Sequence, residues 1–413
     1  MFGGRIFKIL TIFTVFLDYN TSAHLYGHNR VEIDDDALQL ISRAGYKGEA
    51  YYVEPEDKSG WILKMHRILP RGNVRDAQPV FLMHGLFAAA ADYLITRKKR
   101  ALAFLLADNN YDVFLGNSRG SRHSRMAKNT NSSLWEFSFH EIGNYDLAAM
   151  IDRALEINGR KRLFYVGHSQ GTTSFFALLS TRPEYNAKII QAHLLAPVAF
   201  MKYFPNLWLR DIIMPLMNLF ERNRVKYVNF SDILSIGGPI ARVLCNSTMN
   251  NFTVQFCKAI IYTIVGTNTY QEEIDEAILP TLIDHISTKV SAHQLIHYAQ
   301  MILSGRFRLY DFKWNNEQVY GTSYPPDYQI SNIIAPLYLY RAPEDLLSSR
   351  RDVEHLMKLL KNVKYYRVIP NYNHVDFTYG RRSRKVLYNE ILNFINMENS
   401  SNISSNSIYR RSP

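Results

Sequence analysis

Gly-x-Ser-x-Gly, a pentapeptide able to hold a serine hydroxyl on a sharp bend, occurs twice in this chain: Gly116–Gly120 around Ser118, and Gly167–Gly171 around Ser169. An exposed serine at such a bend is a candidate nucleophile for acyl transfer. It needs a base to take its proton and a carboxylate to orient that base. The string alone is weak evidence, because the chemistry also requires a buried strand feeding the bend and a helix leaving it. Apolar residues precede both copies, Tyr111–Leu115 and Leu163–Val166. The two differ on the carboxyl side. After Ser169, Phe175, Leu178 and Leu179 recur at helical spacing until Pro183. After Ser118 the chain is polar and has no apolar period, which describes a loop. Ser169 is therefore the expected nucleophile, and Ser118 a residue of a structural turn.

The surrounding elements read as an alternation. Val80–Met83, Tyr111–Leu115, Leu163–Val166, Ala192–Ala196, Ala335–Tyr340 and Lys364–Ile369 are short apolar runs of buried-strand type. Ala101–Asn109, Tyr145–Ile157 and Asp352–Leu360 have helical periodicity between them. This rhythm predicts an α/β fold, a mostly parallel sheet with helices on both faces. It breaks after Pro197 and resumes near residue 326. The expected organisation is a core over 24–200, a helical cap insertion over 201–325, a second part of the core over 326–398, and an Asn/Ser-rich disordered tail over 399–413.

Active sites of open α/β sheets form beyond the carboxyl ends of the strands. Two late strands are followed there by Glu344-Asp345 and by Asn373-His374. In α/β-hydrolases the chain order is serine, carboxylate, histidine, which makes His374 the base and Asp345, over its neighbour Glu344, the acid. The oxyanion of a tetrahedral intermediate needs two converging backbone N–H groups. Gln170, directly after the nucleophile, and Leu86, after the tight turn at Gly85, are placed to supply them. His84 and His168 read as local packing residues, and Glu141 and Asp146 as helix-end or surface carboxylates. His293 and His297 lie four apart, but Gln294 stands where a zinc protease has Glu and no third ligand appears, so neither metal nor cofactor is expected.

A net charge of +11 invites a nucleic-acid reading, but the cations are scattered, with clusters only at 97–100 and 381–385, and no nucleic-acid-binding spacing accompanies them. Arg5 and Lys8, the apolar run Ile9–Leu17 and the small residues Thr21–Ala23 describe a signal peptide over 1–23. No second stretch is long and apolar enough to span a membrane. Sequons at Asn20, Asn131, Asn229, Asn246, Asn251, Asn399 and Asn402 agree with that route. Cys245 and Cys257, the only cysteines, either pair in an oxidising compartment or remain as buried thiols.

In combination, His84–Phe87, Tyr111–Gly120, Tyr145–Leu147, Tyr165–Thr173, Leu195–Ala199 and Tyr372–Phe377 resemble the acid lipases: lysosomal acid lipase, gastric lipase and insect relatives. The resemblance runs over about 32–395 and is strongest over 79–202. It implies an α/β-hydrolase with a helical cap and lid, acting on triacylglycerols or sterol esters at a lipid–water interface. It also implies a triad of Ser169, Asp345 and His374, with Leu86 and Gln170 at the oxyanion. The acid loop Arg341–Leu346 lacks the glycine/asparagine-rich pattern and following Trp usual in that family, and Ser287–Ala292 lacks its Pro-Ala-Gly-like run. The expected function is a secreted or lysosomal lipase. The alternatives are a catalytically silent lipid-binding protein on the same fold and an esterase of small soluble esters.

Overall fold

The computed structural model describes residues 36–128, 132–204, 217–229 and 289–409, with single positions and short runs such as 265–267 between those spans. The expected signal segment, Cys245, Cys257, and the sequons at Asn20, Asn131, Asn246 and Asn251 lie outside the described residues.

A nine-stranded sheet forms the centre. Its strands are β1 (Gly48–Val53), β2 (Trp61–Ile68), β3 (Pro79–Met83), β4 (Asp112–Leu115), β5 (Met126–Ala127), β6 (Leu163–His168) and β7 (Ile189–Leu195), then β10 (Leu337–Arg341) and β11 (Val363–Val368). The order is β1-β2-β4-β3-β6-β7-β10-β11, with the two-residue β5 paired to β2. From β4 to β11 every pairing is parallel, whereas β1–β2 and β2–β4 are antiparallel.

β3, β4, β6 and β7 are buried at every position, as their unbroken apolar runs require of parallel strands covered on both faces. Successive side chains point to opposite faces, so each strand feeds two cores. Phe81, Phe114 and Tyr165 enter one, with α3 (Ala148–Asn158) and α4 (Gln170–Thr181) packed over them. Val80, Val113, Phe164 and Val166 enter the other, under α1 (Asp36–Arg43), α2 (Leu102–Asp108) and the first turns of α7 (Asn389–Tyr409).

Within the expected insertion, β8 (Tyr227–Asn229) pairs antiparallel with β9 (Lys289–Ser291), apart from the main sheet. The next helix, α5 (Ala292–Ser304), is tied to the core, with Tyr298 Oη donating to Thr173 Oγ1 at 3.2 Å and Ser291 Oγ to the Trp135 carbonyl at 2.6 Å. The basic clusters 97–100 and 381–385 meet over Asp275, which accepts from Arg100 and lies 3.6 Å from Arg381. Of the remaining sequons, Asn229 lies on β8, and Asn399 and Asn402 on α7.

β1 pairs antiparallel with Leu63–Ile68 of β2 and extends the sheet by an antiparallel edge. Residues 399–409, expected to be disordered, continue α7 as helix. Extending a helix already started orders one residue per hydrogen bond, without the nucleation that an isolated Asn/Ser-rich segment would face.

Candidate active site

Ser169 occupies the single residue between β6 and α4, at φ 53° and ψ −117°. An L residue held there is strained, and its neighbours hold it from three sides. Its N–H donates to the Leu195 carbonyl of β7 at 3.0 Å. Its carbonyl accepts from Thr172 Oγ1 at 2.6 Å and from the Thr172 N–H at 2.8 Å, fastening the first turn of α4. Two glycines let the surrounding backbone close in. A Cβ on Gly171 would lie 2.4 Å from the Met83 carbonyl oxygen at the end of β3. One on Gly85 would lie 3.2 Å from Ser169 Cβ.

The other two expected residues arrive from β10 and β11. The loop after β10 carries Asp345, and the turn after β11 carries His374; both are buried. Ser169 Oγ lies 2.7 Å from His374 Nε2, across 205 residues of chain. On the far side of the ring, Nδ1 lies 2.8 Å from Asp345 Oδ2 and 3.0 Å from Oδ1. Oδ1 also accepts the N–H groups of Leu347 at 2.8 Å and Ser348 at 2.9 Å. A carboxylate acceptor at Nδ1 selects the tautomer with Nδ1–H, leaving the Nε2 lone pair for the serine proton. The neighbouring Glu344 does not reach the ring; its N–H donates to the Tyr372 carbonyl at 3.3 Å.

His168, a packing residue by sequence, makes a specific contact in the structure. Its Nε2 donates to the His374 backbone carbonyl at 2.7 Å. Burial, with the neighbouring His374, pulls its pKa down to about 3, so the ring stays neutral. Asn373, to which the sequence assigns no role of its own, donates through Nδ2 to the Gly266 carbonyl at 2.9 Å and accepts at Oδ1 from Val375 N–H at 3.0 Å. The Leu346 N–H donates to the Val265 carbonyl at 3.4 Å. Residues 265–266, inside the expected insertion, thus touch both the acid loop and the base turn.

Gln170 is the first residue of α4, where an amide has no intrahelical acceptor and the helix dipole is positive. Leu86 follows Gly85 on the turn after β3, next to Phe87 at φ 60°. Among the described residues, neither the Leu86 nor the Gln170 N–H is taken by another acceptor. Both are free to face a substrate oxygen.

The second pentapeptide folds as the expected loop and braces this turn. Asn117 Oδ1 accepts from the Ala90 N–H at 2.8 Å, and its Nδ2 donates to the Lys64 carbonyl at 2.6 Å. The Ser118 N–H donates to His84 Nε2 at 3.2 Å, and His84 Nδ1 donates to the Gly85 carbonyl at 2.7 Å. Burial pulls the His84 pKa down to about 4. Ser118 Oγ lies 3.5 Å from the same ring, at the limit of a hydrogen bond, and that ring leans on a carbonyl with no carboxylate behind it.

Asp146 departs from its reading as a helix-end carboxylate. It is fully buried and accepts from the Arg119 N–H at 2.9 Å and from Arg119 Nε at 2.8 Å, while Asp57 takes the other side of that guanidinium at 2.7 Å. A fixed fork matching two carboxylates explains why the loop can bury its arginine. Glu141 caps instead, accepting from the Ser138 N–H at 2.6 Å, a pairing legible in the Ser-x-x-Glu spacing. His297 stacks on Phe139 at 3.9 Å and its Nε2 donates to the Arg308 carbonyl at 2.9 Å; His293 stacks on Tyr310 at 5.0 Å.

Comparison with known proteins adds independent findings. Residues 78–214 match a family model described as alpha/beta hydrolase fold, and residues 37–97 one described as a partial alpha/beta-hydrolase lipase region. The chain is 38% identical over 361 residues to Lipase 1 of Drosophila melanogaster, covering 86% of this chain and 78% of that protein. It is 33% identical over 402 residues to gastric triacylglycerol lipase of Homo sapiens, covering 94% and 98%. Among solved structures, a soluble variant of monoglyceride lipase from Saccharomyces cerevisiae shares the fold, with a TM-score of 0.55 at 13% identity over 84% of this chain and 94% of that one. No described helix is long and apolar enough to cross a membrane.

Proposed function

The chain belongs to the acid lipase family of α/β-hydrolases, and from that membership we propose that it hydrolyses the carboxylic esters of neutral lipids, triacylglycerols or sterol esters, through Ser169, His374 and Asp345. The observation that carries the mechanism is the 2.7 Å contact between Ser169 Oγ and His374 Nε2 with the Asp345 carboxylate behind the ring.

His374 Nε2 takes the serine proton as Oγ attacks the ester carbonyl. The C=O electrons move onto oxygen, where the Leu86 and Gln170 N–H groups hold the oxyanion. Asp345, accepting from Nδ1–H, stabilises the imidazolium formed. Collapse returns the electrons, breaks the ester C–O bond, and sends the Nε2 proton to the leaving alkoxide. Water then repeats the sequence on the acyl-enzyme and releases the fatty acid. Each oxyanion donor is worth on the order of 10²–10³ in turnover.

Residues 201–325 serve as a cap over this site, a reading supported by the contacts of residues 265–266 with both catalytic loops. The apolar run at 9–17 and the sequons support passage through the secretory pathway, outward or to the lysosome, where Cys245 and Cys257 would pair.

A fluorophosphonate probe followed by peptide mapping tests the mechanism. The expected adduct is on Ser169; folded protein without it would be a silent lipid binder. Emulsified long-chain triacylglycerol against a dissolved butyrate ester separates lipase from small-ester esterase, and faster turnover of the emulsion is expected.

A further inference from the structure

Beside the acid loop, a cleft of about 320 Å³ opens where the chain leaves β7 and where helix α6 (Arg350–Leu359) begins. Lys202, Arg351 and Lys358 line it, together with Tyr203, Phe200 and His355. Two carboxylates share it, one bonded to neutral donors and one paired with an arginine. Asp352 accepts from the Tyr203 N–H at 3.0 Å and from Ser349 Oγ at 2.7 Å, and Glu354 pairs with Arg350 at 2.6 Å.

The three cations differ from the arginines that brace the fold. Arg67, Arg119, Arg182 and Arg367 each meet a carboxylate, whereas among the described residues Lys202, Arg351 and Lys358 have none within ion-pair distance. Arg351 and Lys202 instead flank the Tyr203 ring, at 5.2 Å and 5.7 Å from its centroid. A ring face contributes only about 0.5–1 kcal/mol at an exposed site, and with Glu354 paired to Arg350 the Asp352 carboxylate alone faces three cations, so the concavity keeps a net positive charge. Phe200, edge-on to His355 at 4.6 Å, adds an apolar wall.

We propose that this cleft binds a phosphate group, the headgroup of an anionic lipid or free phosphate, and so fixes the enzyme on an anionic lipid surface beside its active site. Three cations against one carboxylate leave an excess of about two positive charges, which suits a dianionic phosphate monoester better than a singly charged carboxylate, and arginine offers it two parallel donors. The cleft lies at the edge of the sheet bearing Asp345, because β7 and β10 both end toward it. This role goes beyond the ester chemistry and shares with it only the choice of a lipid probe.

The test is binding of the full-length protein to phosphatidylcholine vesicles with and without phosphatidic acid. Two double variants are compared, Lys202→Gln with Arg351→Gln, and Lys161→Gln with Lys361→Gln. The second pair precedes β6 and β11, at the opposite edge of the parallel sheet. At about a fivefold effect per cation near an anionic surface, the cleft variant should bind phosphatidic acid vesicles roughly 25-fold more weakly, and the control less than about threefold. Lys358→Gln alone, with one charge removed, should fall between them. Hydrolysis of a dissolved butyrate ester should stay at wild-type level in all three, which separates failure here from failure of the hydrolase reading. Competition by inorganic phosphate assigns the cleft to free phosphate too; discrimination without competition assigns it to the lipid headgroup. Equal losses in the cleft and control variants, or no loss in either, overturn the proposal.

Discussion

Replacing Asp345 by Asn asks whether the carboxylate works through the tautomer of His374. Oδ1 of Asp345 accepts two backbone N–H groups, from Leu347 at 2.8 Å and Ser348 at 2.9 Å. An asparagine satisfies those donors only with its carbonyl oxygen on that side. Its NH₂ then takes the place of Oδ2, 2.8 Å from His374 Nδ1. The NH₂ opposes Nδ1–H there, and the retained oxygen, 3.0 Å from Nδ1, already serves two amides, so the balance shifts toward the tautomer with its proton on Nε2, which confronts the Ser169 hydroxyl with N–H where it needs a lone pair. Loss of the correct tautomer in a serine triad costs about 10⁴ in kcat, or about 5.5 kcal/mol of barrier. The shape and the two amide bonds survive, so the melting temperature should stay near that of wild type. Initial rates on a dissolved butyrate ester and the rate of fluorophosphonate labelling report the loss. Glu344→Gln, one residue away, should leave both near wild type. A loss below about tenfold for Asp345→Asn, or a larger loss for Glu344→Gln, would refute the tautomer account.

The same geometry fixes three further outcomes. Ser169→Ala should lower kcat by about 10⁴–10⁶ with unfolding by urea unchanged, whereas Ser118→Ala, in the bracing loop, should lose less than about tenfold. Gly171→Ala would press a Cβ to 2.4 Å from the Met83 carbonyl oxygen, so the helix must shift off β3; a stability loss of about 3 kcal/mol or more is expected in urea melts. Asp92, wholly buried, has its carboxyl pushed by burial from an ordinary 3.8 up to about 7, with partial relief from Tyr379 and the Ala89 backbone. Between those values the native state keeps a proton that the unfolded chain releases. This contribution is therefore full below pH 3.8 and is lost as pH rises through 7. Asp92→Asn removes the slope, so its stability relative to wild type should gain on the order of 4 kcal/mol between about pH 4 and about pH 8; parallel melts at the two pH values check this.

Much of the architecture is legible in the chain because its signals are local. Continuous apolar runs such as Pro79–Met83 can be satisfied only between two covered faces, and the helical period after Ser169 separates the strand–helix bend from its polar double at Ser118. His374 can be placed because a turn after a late strand has one sheet edge to occupy. The Ser138–Glu141 cap is written in its spacing too, since both partners sit within one helical turn.

Tertiary packing decided the rest. Glu344 and Asp345 are equivalent by position; the loop's own amides turn Asp345 toward the imidazole and leave its neighbour outside. Asp146 has the sequence context of a surface carboxylate, and only the fold sets Arg119, 27 residues away, against it. His168 meets the carbonyl of His374 across 206 residues, and Lys202 shares a cleft with Arg351, which the chain alone keeps far apart. Periodicity records what one element must bury, since a helix or strand presents its faces at fixed intervals. Which polar group finds which partner depends on how separate elements stack, and chain spacing carries no trace of that.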